Sequence, residues 1–353
     1  MKPVTKASYK QIAQYLVDFI SRAEEGEQLP TENQLATKFG VSHLTVRKAI
    51  KQLEIESSII RIPGKGTFVR KKPVAGQLIH ILFVMPPMTS VEDAFLQPIV
   101  SECFEDANKI RAIIHIYPYN YNWLELMNMC QDFSVDGVIW TAPFVNHFET
   151  IIKLQEYGYP VMVINRILED ERFNYVSTDH QKAAGDITQF LISKGHKRIG
   201  FVGLIEDDSC YRQRFEGFKK AMDENGLEFS EQAVVKIKVL GYVPKHEFSD
   251  WHQDFKQMIE KYKPTALLFS GGHLLEKILR DSNERMILDN LEIATFDEVP
   301  YIYQEKQYIH EVIQPLQDLG KYALGEIKKI ISCQQKTVKI KLQPSVCLKN
   351  KRG

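Results

Sequence analysis

Nine short apolar runs recur along the chain, at 79–85, 112–116, 137–140, 160–165, 198–203, 234–239, 266–270, 292–297 and 311–314. Helical stretches lie between most of them, for example at 181–193, 211–225, 251–261 and 273–281. Strands that are apolar on both faces must be covered on both, and parallel neighbours need crossovers of this length. The alternation predicts an α/β body built on parallel sheets. About 270 residues are too many for one compact open sheet, so two lobes are expected. In such sheets the ligand site lies beyond the carboxyl ends of the strands, and two facing lobes would form a cleft there.

The first part of the chain has a different rhythm. Residues 8–22 carry Ile12, Tyr15, Leu16, Phe19 and Ile20 as a helical stripe, with Ser8 as a cap. Thr31 to Gln34 reads T-x-x-Q, a capping box. The helix it starts buries Leu35 and Phe39 and stops at Gly40, which suits a left-handed cap. Ser42 then caps a second helix with Val46, Ile50 and Leu53 on its apolar side. The opposite side presents His43, Arg47 and Lys51 at i, i+4 and i+8. A hairpin follows, with 59–62 and 67–69 as strands and Pro63-Gly64-Lys65-Gly66 at the tip. Two glycines allow close approach to a nucleic-acid backbone, and Lys65 adds charge. This is the layout of a winged helix-turn-helix, with Glu32, Ser42, His43, Thr45, Arg47, Lys51, Lys65 and Gly66 as DNA-binding candidates.

Charge divides along the same line. The chain is neutral overall, with 45 Lys and Arg against 45 Asp and Glu. Residues 1–72 hold 13 Lys and Arg against 7 Asp and Glu, leaving the remainder net acidic. A basic head on an acidic body fits a nucleic-acid reader attached to a unit with another task. The expected domains are a head at 1–72, a linker at 73–78, and an effector-binding and dimerisation body at 79–350. The five cysteines, Cys103, Cys130, Cys210, Cys333 and Cys347, form no C-x-x-C pair and read as reduced thiols. The polar N-terminus and the lack of a long apolar run predict a cytoplasmic protein with no membrane segment. No G-x-S-x-G, H-E-x-x-H or strand-linked G-x-G-x-x-G occurs, so no enzyme, metal or cofactor is expected.

Several motifs add a resemblance. Leu29-Pro30-Thr31-Glu32, Leu35-Ala36, Val41-Ser42, Thr45-Val46-Arg47 and Gly64-Lys65-Gly66-Thr67-Phe68-Val69 occur in the order found in the GntR family of bacterial regulators. The resemblance implies that Arg47 meets a base or phosphate and that Glu32 lies near the DNA. It also implies that Ser42 and Thr45 make contacts and that Gly66 enters the minor groove. His43 stands where the family usually has arginine, so the bidentate arginine–guanine pair is not available there. Ser57 stands where it usually has glycine.

The body resembles the LacI family. The carrying segments are Val135-Asp136-Gly137-Val138-Ile139, Val176-Ser177-Thr178-Asp179, Gly195-His196-Lys197-Arg198-Ile199-Gly200, Arg214-Phe215-Glu216-Gly217-Phe218, Ile293-Ala294-Thr295-Phe296-Asp297-Glu298 and Gln314-Pro315. The resemblance implies two Rossmann-like lobes joined by three crossovers, as in periplasmic sugar-binding proteins. It implies effector contacts at Arg214 and Asp297, with Asp179 and Gln314 at crossovers, and the effector-binding candidates are Asn165, Arg166, Asp179, Arg214, His273, Asp297 and Gln314. Asn165 falls where aspartate is usual, followed by Arg166, and Gly272-His273 replace the usual Asn-Asp. Planar guanidinium groups, carboxylates and aromatics suit a polyhydroxylated ligand. A GntR-type head on a LacI-type body resembles the arabinose-repressor class. The expectation is a homodimer on double-stranded operator DNA, released by a small-molecule effector such as a monosaccharide. Activation, or a nucleoside or purine effector, is the alternative.

Overall fold

The computed structural model describes residues 8–24, 26–55, 59–62, 66–69, 78–86, 94–119, 122–168, 170–205, 208–241, 247–248, 250–281, 285–300, 309–332 and 337–349. Lys65 at the wing tip, Ser57, Cys333 and residues 70–77 of the linker region lie outside them.

The head holds α1 (Tyr9–Arg22), α2 (Glu32–Phe39), α3 (His43–Ile55), β1 (Ile59–Ile62) and β2 (Gly66–Val69). Its helix ends follow the sequence chemistry. Ser8 and Gln11 form one capping box, Thr31 and Gln34 another, and Gly40 ends α2 at φ 64°. Ile12, Leu16, Leu35, Val46, Ile50 and Leu53 meet Ile59 and Val69 of the wing in one core. Burying each such aliphatic side chain contributes about 1.5–3 kcal/mol against exposure. The strands pair antiparallel, Ile59 opposite Val69 and Ile62 opposite Gly66.

The first lobe contains β3 (Ile79–Met85), α4 (Leu96–Ile110), β4 (Ala112–Pro118), α5 (Trp123–Asp132), β5 (Gly137–Thr141), α6 (Phe148–Glu156), β6 (Val161–Ile164) and β7 (Asn174–Thr178). The second contains α7 (His180–Ser193), β8 (Ile199–Leu204), α8 (Ser209–Glu224), β9 (Val234–Lys236), the small β10 (Val239–Gly241) and β11 (Glu247–Phe248) hairpin, α9 (His252–Tyr262), β12 (Ala266–Phe269), α10 (Gly272–Arg280), β13 (Glu292–Phe296) and β14 (Ile309–Ile313). Then α11 (Leu316–Ile331) and β15 (Lys339–Leu342) return to the first lobe, and β16 (Ser345–Cys347) ends in the second. The sheet orders are β15-β7-β6-β5-β3-β4 and β16-β14-β13-β12-β8-β9. All strands of the first run parallel. In the second only β16 is antiparallel. Each sheet carries apolar clusters on both faces, which is why its strands read as unbroken apolar runs.

Both lobes share one winding, and the chain passes between them three times: at Asp179, at Gln314-Pro315 and at Gln343-Pro344. The passes are tied together. Asp179 N donates to Leu342 O at 2.8 Å, and Thr178 Oγ1 donates to Gln314 Oε1 at 3.0 Å. Helices α7 and α8 pack so closely that a Cβ on Gly217 would come within 2.0 Å of the Gln181 carbonyl.

The sequence expectations differ from the fold in places. The run at 234–239 divides into β9, which pairs with β8, and β10, which pairs with β11. Strands β7, β15 and β16 are additional; β15 and β16 are short and half-exposed at sheet edges, so no apolar run marks them. Among the described cysteines, Cys103, Cys130, Cys210 and Cys347 are all free thiols.

Candidate functional site

On the head, α3 turns His43, Arg47 and Lys51 to solvent. Ser42 Oγ accepts from Thr45 N at 3.4 Å and lies 3.0 Å from Thr45 Oγ1, so both residues shape the start of that helix. Glu32, at the start of α2, is gripped from two sides. Arg47 Nε donates to it at 2.8 Å and an Arg61 guanidinium nitrogen at 2.6 Å. Partial burial pushes the Glu32 carboxyl up, but the two arginines hold it below its usual range. Glu32 therefore aims Arg47, which keeps 64% of its side chain in water. Gly66 opens β2 at φ 130°, and a Cβ there would sit 2.3 Å from Gln28 Nε2. A residue with a side chain would be strained at this φ and would have to displace the Gln28 amide. The structure brings Glu32 and Arg47 together and places His43 and Lys51 on the same exposed helix, with Gly66 on the neighbouring wing.

In the body, the carboxyl ends of β6, β13 and β14 converge. Asn165 follows β6 and Asp297 follows β13; both adopt left-handed backbone, at φ 57° and 67°. That conformation favours Asn and Asp over most side chains. Gln314 follows β14. Arg214 comes from the second turn of α8 and His180 from the first of α7.

These five side chains form a circuit whose proton directions can be read. Arg214 has donors only, so its Nε at 3.2 Å makes His180 Nδ1 an acceptor. The imidazole proton is then on Nε2, which donates to Asn165 Oδ1 at 3.1 Å. Asn165 Nδ2 donates to Gln314 Oε1 at 3.0 Å, and Gln314 Nε2 donates to Asp297 Oδ1 at 2.5 Å. Asp297 faces Arg214 again at 4.0 Å. Burial, with Arg214 and Arg166 nearby, holds His180 well below the usual imidazole range, so it stays neutral as this circuit requires. Arg214 also donates to the Ser270 carbonyl and lies over the Phe296 ring, 4.1 Å from its centroid. One lobe gives Asn165, the other Arg214 and Asp297, and Gln314 sits on the pass between them.

Arg166 is the circuit's neighbour. It donates to Asp208 at 2.7 Å, to the Asn165 carbonyl at 2.8 Å and to Cys210 Sγ at 3.2 Å. Burial opposes its charge, but Asp208 holds the guanidinium more firmly protonated than usual. Two candidates stand apart from the circuit. Asp179 caps α7 through Lys182 N and reaches Gln343 at 3.5 Å, at the crossovers. His273, on α10, stacks edge-on against Tyr211, 6.4 Å between centroids. Surrounding protein holds its imidazole below the usual range, although its surface remains open to solvent. Sequence reasoning missed His180, Asp208 and Ser270. The adjacency of His180 to Asp179 is the one signal that could have pointed to it.

No group of three or more His, Cys, Asp or Glu among the described residues is arranged to hold a metal ion. No helix among them is long and apolar enough to cross a membrane.

A winged helix-turn-helix carried on a two-lobed body, with a polar circuit between the lobes, is the build of a ligand-responsive transcriptional regulator. Residues 8–69 match the bacterial regulatory proteins of the gntR family. Residues 111–238 match the periplasmic binding proteins and sugar binding domain of LacI family, and residues 188–347 a periplasmic binding protein-like domain. The chain thus joins a GntR N-terminal domain to LacI-type periplasmic-binding-like domains. It is similar to catabolite control protein A of Priestia megaterium, 26% identical over 251 residues, covering 67% of this chain and 73% of that protein. It is also similar to the arabinose metabolism transcriptional repressor of Halalkalibacterium halodurans, 25% identical over 338 residues, covering 89% and 86%. Among solved structures, a transcriptional regulator CelR–cellobiose complex has the same fold, with a TM-score of 0.63 at 18% identity over 91% of this chain and 99% of that one.

Proposed function

We propose that this protein is a DNA-binding repressor of carbohydrate-utilisation genes, released from its operator by a small sugar. Arg47, His43, Ser42, Thr45 and Lys51 meet the DNA, with Lys65 and Gly66 on the wing and Glu32 fixing the aim of Arg47. A homodimer in the cytoplasm sets two such helices on the half-sites of a near-palindrome. Arg214, Asp297, Asn165, Arg166, Gln314 and His273 line the effector site, and Asp179 holds the crossovers. The protein acts by binding, without turnover.

The observation that carries this reading is the circuit itself. It joins both lobes through a crossover, so a ligand that exchanges hydrogen bonds with it changes how the lobes sit. That change alters head spacing, and the linkage equals the difference in effector affinity between two states. Fluorescence anisotropy on DNA from upstream of its own gene, titrated with monosaccharides and sugar phosphates, tests it. Salt-sensitive, sequence-selective binding released by one sugar is the expected result. Binding that no sugar relieves would overturn the sugar half and direct the search to nucleosides. No selective binding would overturn the DNA half.

A further inference from the structure

Every cationic side chain described at these strand ends already has a carboxylate. Arg166 is paired with Asp208, Arg214 with Asp297, Arg212 with Glu216 at 4.0 Å, and Lys182 with Asp186. His180 and His273 are neutral at neutral pH, as derived above.

What lacks a partner is neutral. Thr141 Oγ1, Ser209 Oγ and Gln213 Oε1 are buried atoms with no hydrogen-bond partner among the described residues. Thr141 is 0% exposed and Ser209 8%. Thr141 ends β5 opposite Ile164, the residue before Asn165. Ser209 precedes Cys210, whose thiol donates to the Asn165 carbonyl at 3.0 Å. Gln213 lies one turn along α8, next to Arg214. Each of the three thus neighbours a circuit residue or its partner, along the chain or across the sheet. Buried polar atoms are almost always paired, and an unpaired set at one place points to a partner that arrives.

We infer that the effector is an uncharged polyhydroxylated molecule, a free sugar and not a phosphorylated or acidic one, whose hydroxyls pair with Thr141, Ser209 and Gln213. This rests on the sensor reading proposed above. A sugar hydroxyl both donates and accepts, so it can serve a threonine or serine hydroxyl and an amide oxygen alike. A phosphate ester brings negative charge and acceptors to a site whose arginines are already matched. Its desolvation would go uncompensated beside Asp208 and Asp297.

The chain's tryptophans, Trp123, Trp140 and Trp251, all lie in the body, so intrinsic fluorescence of the full chain reports on the lobes. The probes are ribose, arabinose, xylose, glucose and fructose, each beside its phosphate ester. At least one free sugar gives a saturable change, and no ester does. A saturable response to an ester whose parent sugar is silent would overturn the neutral-ligand inference and leave the sugar sensor standing. Silence toward all probes, with selective DNA binding intact, would overturn the sugar sensor and this inference with it. Thr141→Val removes an unpartnered hydroxyl at nearly constant shape. It should weaken the responding sugar about tenfold, and raise the Tm of the sugar-free protein. Unchanged sugar affinity in both Thr141→Val and Ser209→Ala would remove these residues from the site.

Discussion

Arg47 on the head and Arg214 in the body each lie beside a carboxylate, but Arg47 keeps 64% of its side chain in water and Arg214 only 4%. The first pair is cheap to exchange: an exposed ion pair contributes little, and a DNA phosphate can replace Glu32 as the partner. In the second, Arg214 is buried over the Phe296 ring with His180 and the Ser270 carbonyl as further partners, while Asp297 keeps 40% of its side chain in water. Only a group offering equivalent hydrogen bonds can displace any of these without leaving a buried polar atom unpaired. The contrast separates a surface built for association from an interior built for discrimination.

The hardest test of this contrast is Arg214→Ala. It should cost the body about 1–3 kcal/mol, because His180 Nδ1 and the Ser270 carbonyl lose their buried donor, and sugar-driven release should disappear. Urea unfolding followed by tryptophan fluorescence measures the first effect; a loss under about 1 kcal/mol would erase the contrast. Arg47→Ala should leave that unfolding curve in place and weaken operator DNA about 10- to 100-fold. A salt slope reduced by about 1 would assign Arg47 to a phosphate, and relaxed specificity at one base pair would assign it to a base.

Acidification should separate the two regions in calorimetry. Surrounding protein lowers His115, His180, His196, His273 and His310 below the ordinary 6.5 in the folded body. The unfolded chain then binds protons that the folded one refuses, so body stability is full above pH 6.5 and is lost as the pH falls below it. Glu311, raised by burial, works in the opposite sense, one carboxylate against five imidazoles. In the head the two arginines hold Glu32 below its ordinary 4.5, so its contribution is present above pH 4.5 and lost only below it. Between these limits the body's transition should move down and the head's should stay; a joint shift would mean that the two unfold as one. The smallest effect is Thr31→Ala, which removes a cap and should cost the head alone about 1 kcal/mol.

Much of the head was legible because its determinants are local. The Thr31–Gln34 box, the Gly40 cap and the Val46, Ile50, Leu53 stripe act within one or two turns. The sheets were legible through their apolar runs. The edge strands β15 and β16 were not, because their pairing is set by Tyr175 and Val312 far back in the chain. The candidate site divides in the same way. Asn165, Arg214, Asp297 and Gln314 stood out at strand ends or in motifs. His180 gains its meaning only from Asn165 and Arg214, 15 and 34 residues away. Thr141 and Ser209 stand out only through the absence of a described partner, which no spacing reveals.

Gln314 carries a consequence of its own. Its amide has one accepting end and one donating end, turned to Asn165 and Asp297 respectively. The connection between the lobes is therefore polarised, and residues 165, 314 and 297 form a sentence that can be written in few ways. An aspartate at 165 would place a carboxylate at each end of one amide, and Gln314 could answer only one of them. The asparagine at 165 thus meets the accepting end of Gln314 with an amide donor, which a carboxylate at that position could supply only by taking up a proton.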